Sequence, residues 1–181
     1  RHREAAGFSA EARYQGRPLA ASEGGRLDLA GLPENACIGW RVAIGRAADN
    51  AGYGTAMRSG GALLTATSLW FWTAPDARPV TVTVQVPEGH RFSTPWPADV
   101  ANNGERVFRP VHSPDWWTSR SVFGHFEERR LEVGGGRLDL ALAGELDPEQ
   151  AERMVRWVKR SAAAVVPVLG RFPRERVQVI V

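Results

Sequence analysis

Cysteine is almost missing from this chain. Cys37 stands alone, which excludes an intramolecular disulfide framework and any Cys-rich zinc site. Lysine is as scarce: of the 23 basic side chains only Lys159 is a lysine, which leaves 22 arginines. No apolar stretch approaches the roughly 20 residues that a membrane-spanning helix requires. The chain opens Arg1-His2-Arg3-Glu4, with no charged-then-apolar leader in view, so any leader is expected to have been removed. Histidine is limited to His2, His90, His112 and His125, and none of them sits in H-E-x-x-H.

Other chemistries fail on spacing. His125-Phe126-Glu127 imitates the H-x-E of zinc deaminases, but the C-x-x-C partner is missing. Strand alternation puts His125 opposite Phe126 and favours a non-ligand role. No G-x-S-x-G or S-x-x-K supplies a serine nucleophile. Gly52-Tyr53-Gly54 lacks the third glycine and the strand-to-helix setting of a dinucleotide loop. No spacing singles out two carboxylates as a glycosidase pair. Cys37 has no basic neighbour and reads as a buried, unreactive thiol.

What is present suits a folded protein of one domain, or one domain and part of a second. The 181 residues are 43% hydrophobic and 24% charged, with a net charge of +3. That length buries a sizeable core without a disulfide or metal. The arginines are scattered among acids, as in Glu127-Glu128-Arg129-Arg130, whereas a nucleic-acid binder gathers them on one stripe. No nucleic-acid partner and no transmembrane segment are therefore expected.

Residues 1–25 read as an irregular lead-in. Residues 26–146 read as an antiparallel β-sandwich. Arg26–Leu29 alternates polar and apolar, and Ile38–Ile44 places Trp40, Val42 and Ile44 on one face. Leu63 to Trp72 is a third apolar run. Val80–Val86 is the clearest strand, with four valines on one face, closed by the turn residues Pro87-Glu88-Gly89. Asn102-Asn103-Gly104 is a tight turn before Val107-Phe108, and strands follow around 122–126 and 131–133. The heptapeptide Gly24–Ala30 recurs letter for letter as Gly135–Ala141. Nothing around the copies matches, so the echo reads as two glycine turns each leading into an amphipathic strand.

At residue 147 the periodicity changes. Asp147-Pro148-Glu149-Gln150 is a helix start, with an N-cap, a proline at the first position and a capping-box partner. Ala151, Met154, Val155, Val158, Ala162 and Val165 recur at helical spacing. Pro167 and Gly170 end the helix, and Arg176–Val181 is a new strand. The chain is thus expected to be mainly β, an antiparallel sandwich followed by one helix and one strand. Those two elements, residues 147–181, are expected to begin a truncated second domain.

Seven tryptophans against two tyrosines are the remaining oddity. Trp72 ends an aromatic run, Trp96 sits in Pro95-Trp96-Pro97, and Trp116-Trp117 follow Pro114-Asp115. Trp72, Trp96, Trp116 and Trp117 are the candidate ligand or cleft contacts. Stacked on sugar rings they would make the chain a carbohydrate-binding module; packed inward they cap the ends of a sandwich.

From Leu69 to Val181 the sequence resembles the N-terminal β-domain of gluzincin metallopeptidases and its junction with their catalytic domain. The glycyl aminopeptidase-like group is the nearest likeness, and aminopeptidase N a more distant one. The resemblance rests on Leu69-Trp70-Phe71-Trp72-Thr73-Ala74-Pro75, on Val82–Gly89 followed by Ser93-Thr94-Pro95-Trp96, and on Gly124-His125-Phe126 with Arg137–Leu142. The helix from Asp147, Leu169–Pro173 and Val177–Val181 carry it into the thermolysin-like α/β domain.

The resemblance implies a non-catalytic domain of a bacterial zinc metallopeptidase that helps to wall the substrate cleft. Its own C-terminal catalytic domain would be the partner, peptides the substrate, and the location periplasmic or secreted. Zinc would belong to H-E-x-x-H and a further Glu beyond Val181. No catalytic, cofactor-binding or metal residue is carried onto this chain. A stand-alone binding module for carbohydrate or protein, using the aromatic loops, is the alternative reading; a scaffold-like relative with no peptidase part is a third.

Overall fold

Local capping chemistry starts the longest helix. The Asp147 carboxylate accepts from Gln150 N at 2.7 Å, and the Gln150 side chain accepts from Asp147 N at 3.0 Å. This reciprocal box satisfies two otherwise orphaned N–H groups, and Pro148 occupies a position that has no N–H to lose. The helix, α3, runs Pro148–Ala163. A short turn of helix, α4 (Val166–Leu169), follows and ends at Gly170, whose φ of 74° is left-handed.

The structure is a computed structural model that describes residues 9–20, 27–34, 36–50, 56–71, 80–100, 106–110 and 119–181. The chain divides into two units. The first comprises Arg1–Arg58, Leu63–Arg78 and Ser113–Arg120; the second comprises Ser59–Ala62, Pro79–His112 and Ser121–Val181.

In the first unit, β1 (Ser9–Tyr14) pairs antiparallel with β2 (Arg17–Leu19) and with β3 (Ile38–Val42). Helix α1 (Ile44–Asn50) follows, then the adjacent strands β4 (Ala56–Ser59) and β5 (Ala62–Ala66), and a helical turn, α2 (Thr67–Trp70). Ala47, Ala56 and Leu69 pack together as a small core. Ile44, expected as the end of a strand, instead begins α1. Gly45 interrupts the β-branched pattern, and the Ala47-Ala48 pair favours helix. The apolar run from Leu63 likewise changes from strand to helix at Thr67.

The second unit contains β6 (Val82–Thr83), β7 (Arg91–Ser93), β8 (Ala98–Val100), β9 (Arg106–Phe108) and β10 (Arg120–Gly124). Strands β6 and β8 flank β9, and β7 lies antiparallel to β10. The proposed turn at 102–104 lies outside the described residues, but β8 and β9 pair in the antiparallel register on either side of it. Val80–Val86 is a correction: only Val82 and Thr83 find ladder partners, on the three-residue β9. Val86 remains 37% exposed. An alternating pattern becomes a strand only as far as its neighbour extends.

The largest core lies in the same unit. Strands β11 (Glu127–Val133) and β12 (Gly136–Leu142) form a hairpin through Gly134-Gly135, and β13 (Arg176–Ile180) joins β12 in parallel. Parallel neighbours need a long crossover, which α3 supplies. Ala151, Val158 and Ala162 on one face of α3 pack on Leu138, Leu140 and Leu142. The whole is mainly β, with antiparallel pairing dominant and a single β-α-β unit at residues 136–180.

Asp147→Ala removes one half of the capping box. It is expected to lower stability by about 1 kcal/mol (roughly 0.5–2), read as a lower midpoint in urea unfolding with an unchanged slope.

Candidate functional site

Of the four tryptophans singled out by sequence, Trp72, Trp116 and Trp117 lie outside the described residues. Trp96 is described, and it is only 4% exposed. Its ring therefore offers no open face on which a sugar could stack. The segment around it is held from three directions. Arg176 on β13 donates from Nη1 to the Trp96 carbonyl and from Nη2 to the Thr94 carbonyl at 3.2 Å. Gln178, two residues further along β13, donates to Ser93 Oγ at 2.9 Å. Ser121 and Thr94, both fully buried, place their hydroxyls 3.5 Å apart, and Arg109 N donates to the Pro97 carbonyl at 2.9 Å.

Arg176 is anchored in turn by Asp139 on β12, with Nε 2.6 Å from the carboxylate. Arg137 lies 3.2 Å and Arg130 3.5 Å from the other carboxylate oxygen. Burial pushes the Asp139 carboxyl up, but the Arg176 hydrogen bond and the fields of Arg176, Arg137 and Arg130 outweigh it. The group ionises below its ordinary 3.8. Nothing in the sequence flags this pair, since its members stand 37 residues apart. Only the parallel register, Asp139 opposite Gln178, brings Arg176 within reach.

Exposed aromatic surface occurs elsewhere. Trp157 on α3 is 64% exposed, with Met154 beside it, and Val168 and Leu169 are exposed on α4. A pattern reading picks out Trp157 once it is seen to fall roughly 120° from the buried stripe of α3. Trp40 on β3 is partly exposed and donates from Nε1 to the Trp70 carbonyl at 3.0 Å. Cys37, expected to be buried, is exposed just ahead of β3. Among the described residues no three His, Cys, Asp or Glu side chains converge as a metal site. No helix among them is long and apolar enough to cross a membrane.

The described residues thus define a mainly β protein with one β-α-β unit and a half-buried polar latch. Comparison places that fold. The structure is similar to the crystal structure of an aminopeptidase N family protein from Idiomarina loihiensis, with a TM-score of 0.67 at 12% identity. The match covers 93% of this chain and 29% of that one. No protein-family model matches the chain, and no curated protein matches it. The likeness is one of fold: the chain has the β-rich architecture found in part of an aminopeptidase N family structure.

Arg176→Ala is expected to cost about 2–4 kcal/mol, because it removes the closest partner of a partly buried carboxylate and leaves two carbonyls unpaired. Asp139 makes the loss dependent on pH. A carboxyl whose folded value is depressed contributes fully above its unfolded value and stops contributing as pH falls through the folded value. The stability gap between the parent protein and Asp139→Asn should be constant above about pH 5 and close below about pH 3.8. Urea unfolding at a series of pH values measures it, and a gap that does not narrow on acidification would contradict the assignment.

Proposed function

We propose that this chain is a non-catalytic β-domain, with the first helix and strand of the neighbouring domain, of a larger gluzincin-type zinc metallopeptidase. Its role there is to pack against the catalytic domain and help to wall the cleft that receives peptide substrates. The observation that carries this reading is the fold likeness to an aminopeptidase N family protein over nearly the whole chain, while the chain spans 29% of that structure's length.

The surface of the second unit supports it. Trp157, Met154, Val168 and Leu169 leave large apolar side chains in water on α3 and α4, and such groups belong against another folded surface. Strand β13 is the outer member of its sheet, so its free edge is available to extend that sheet. Zinc, in this reading, is held by residues of the catalytic domain, and the enzyme is exported, periplasmic or secreted.

The chain itself positions. The buried latch from Asp139 through Arg176 to the Thr94 and Trp96 carbonyls holds the Trp96 segment rigid. A wall so held keeps its shape when substrate arrives. Binding of carbohydrate through Trp96 is disfavoured by the burial of its ring.

Two measurements test the proposal. The 181-residue chain should not hydrolyse aminoacyl-nitroanilide substrates, whereas a chain extended through the downstream reading frame should hydrolyse them in a chelator-sensitive manner. A downstream frame without H-E-x-x-H and a later Glu would overturn the reading. In addition, Trp157→Ser should change the stability of the 181-residue chain by less than about 0.5 kcal/mol, as exposed substitutions do. It should destabilise the extended protein by about 1 kcal/mol or more, once the ring is buried there.

A further inference from the structure

Strand register brings together two histidines that the sequence keeps 35 positions apart. In the antiparallel pair of β7 and β10, Ser93 faces Val122, Phe92 faces Phe123 and Arg91 faces Gly124. One step further along the same register sets His90 against His125. Their ring centroids are 4.2 Å apart and the planes are tilted by 47°. Both residues are exposed.

The surrounding backbone is shaped to seat them. His125 N donates to the Gly61 carbonyl at 3.0 Å. A Cβ on Gly61 would lie 3.0 Å from His125 Cβ, so a larger residue there would displace the imidazole. Gly124 turns the chain with φ of 113°, a conformation that side chains disfavour, and a Cβ there would strike the Gly61 carbonyl. Gly89, with φ of 75°, closes the turn before His90, whose own N donates to the Pro87 carbonyl at 3.0 Å.

The second nitrogen of His90 supplies an independent observation. Its Nδ1 lies 3.3 Å from the Glu88 carbonyl. A carbonyl only accepts, so Nδ1 carries the proton in that contact and Nε2 of the neutral ring presents its lone pair. A ring N–H anchored on a carbonyl is how ligating histidines are generally oriented, since it fixes the tautomer and raises the basicity of the other nitrogen.

The spacing also fits coordination. With metal–nitrogen bonds of about 2.0–2.1 Å, imidazoles in cis positions of a tetragonal ion have centroids roughly 4.5 Å apart, and those on a tetrahedral ion roughly 5 Å apart. The observed 4.2 Å brings the two rings close enough to reach one ion. The charges facing the pair do not forbid a cation. Arg91 is engaged by Glu128 at 3.3 Å, Glu127 is paired with Arg129 at 2.5 Å, and Glu88 is adjacent in the turn. Among the described residues no third side chain completes a set of three, so the other positions would be held by water.

We propose that His90 and His125 form a two-imidazole site for a divalent transition-metal ion, with Cu(II) the preferred occupant. Imidazole donors select a transition metal over magnesium or calcium, and Cu(II) heads the affinity order among the divalent ions. Bound there, the ion clamps the end of β7 to the end of β10.

The probe is Cu(II) alone, titrated calorimetrically into the 181-residue chain at pH 7.5 in a non-coordinating buffer. All proteins carry His2→Gln and Cys37→Ser, so that neither the amino terminus nor the exposed thiol competes. One equivalent should bind with a micromolar or tighter dissociation constant, and the paramagnetic resonance spectrum should show two imidazole nitrogens. His90→Gln and His125→Gln should each weaken binding by at least about tenfold, with unchanged circular dichroism, while His112→Gln should leave it intact. Binding weaker than about 1 mM, a spectrum with fewer than two imidazoles, or equal affinity in the His90 and His125 variants would each overturn the proposal.

Discussion

A carboxylate on one strand and a guanidinium on the next determine how the C-terminal third of the chain is built. Asp139 and Arg176 meet at 2.6 Å across β12 and β13. Both are largely removed from water, with side-chain exposures of 19% and 16%. Charges so placed are tolerated only when paired and fully hydrogen-bonded. Arg176 meets that condition by donating its remaining N–H groups to the Thr94 and Trp96 carbonyls. Sliding β13 by one residue would turn Arg176 toward the opposite face and leave Asp139 without its closest partner. The pair therefore specifies register, while the apolar contacts of α3 supply most of the stabilisation.

The repeated heptapeptide shows what such a partner contributes. In the second copy, Leu140 is 1% exposed and Asp139 holds Arg176. The identical residues of the first copy behave otherwise. Leu27 makes only an isolated bridge, the Asp28 carboxylate accepts from Ala30 N at 3.0 Å in a local turn, and Leu29 is 47% exposed. The same letters form a core strand where β11 and β13 flank them, whereas among the described residues of the first copy Leu27 makes a bridge and Asp28 a local turn. β-structure is a property of the pairing more than of the segment. The echo accordingly marks a shared local composition rather than a duplicated unit.

This difference also sorts what was legible in the sequence from what was not. Helix α3 could be read because its signals are local: an acid cap, a proline, a reciprocal glutamine and an apolar stripe at helical spacing. The mainly β class and the strand at 176–180 could be read from alternation and valine content. Val80–Val86 could not, since its extent is set by a three-residue neighbour. Trp96 carried no mark separating a buried plug from an exposed platform, because the deciding groups, Arg176 and Gln178, arrive from about 80 residues away. The histidine pair was hidden for the same reason, and becomes visible once β7 and β10 are in register.

Rigidity and exposure are divided between opposite sides of the same β-α-β unit. Both faces of β12 are occupied: Leu138, Leu140 and Leu142 meet α3 on one, and Asp139 meets its arginines on the other. The outer side of α3 and the short α4 instead carry Trp157, Val168 and Leu169 in water, and the outer edge of β13 has no strand beside it among the described residues. A helix evolved only to cover its own sheet gains nothing from a tryptophan on the far face, where the ring offers apolar area with nothing to bury it. Apolar side chains on both faces are what a helix needs when it stands between two layers. One face of α3 is thus built into this fold while the other leaves a tryptophan in water. That division is consistent with a chain that reproduces part, and not the whole, of a much longer architecture.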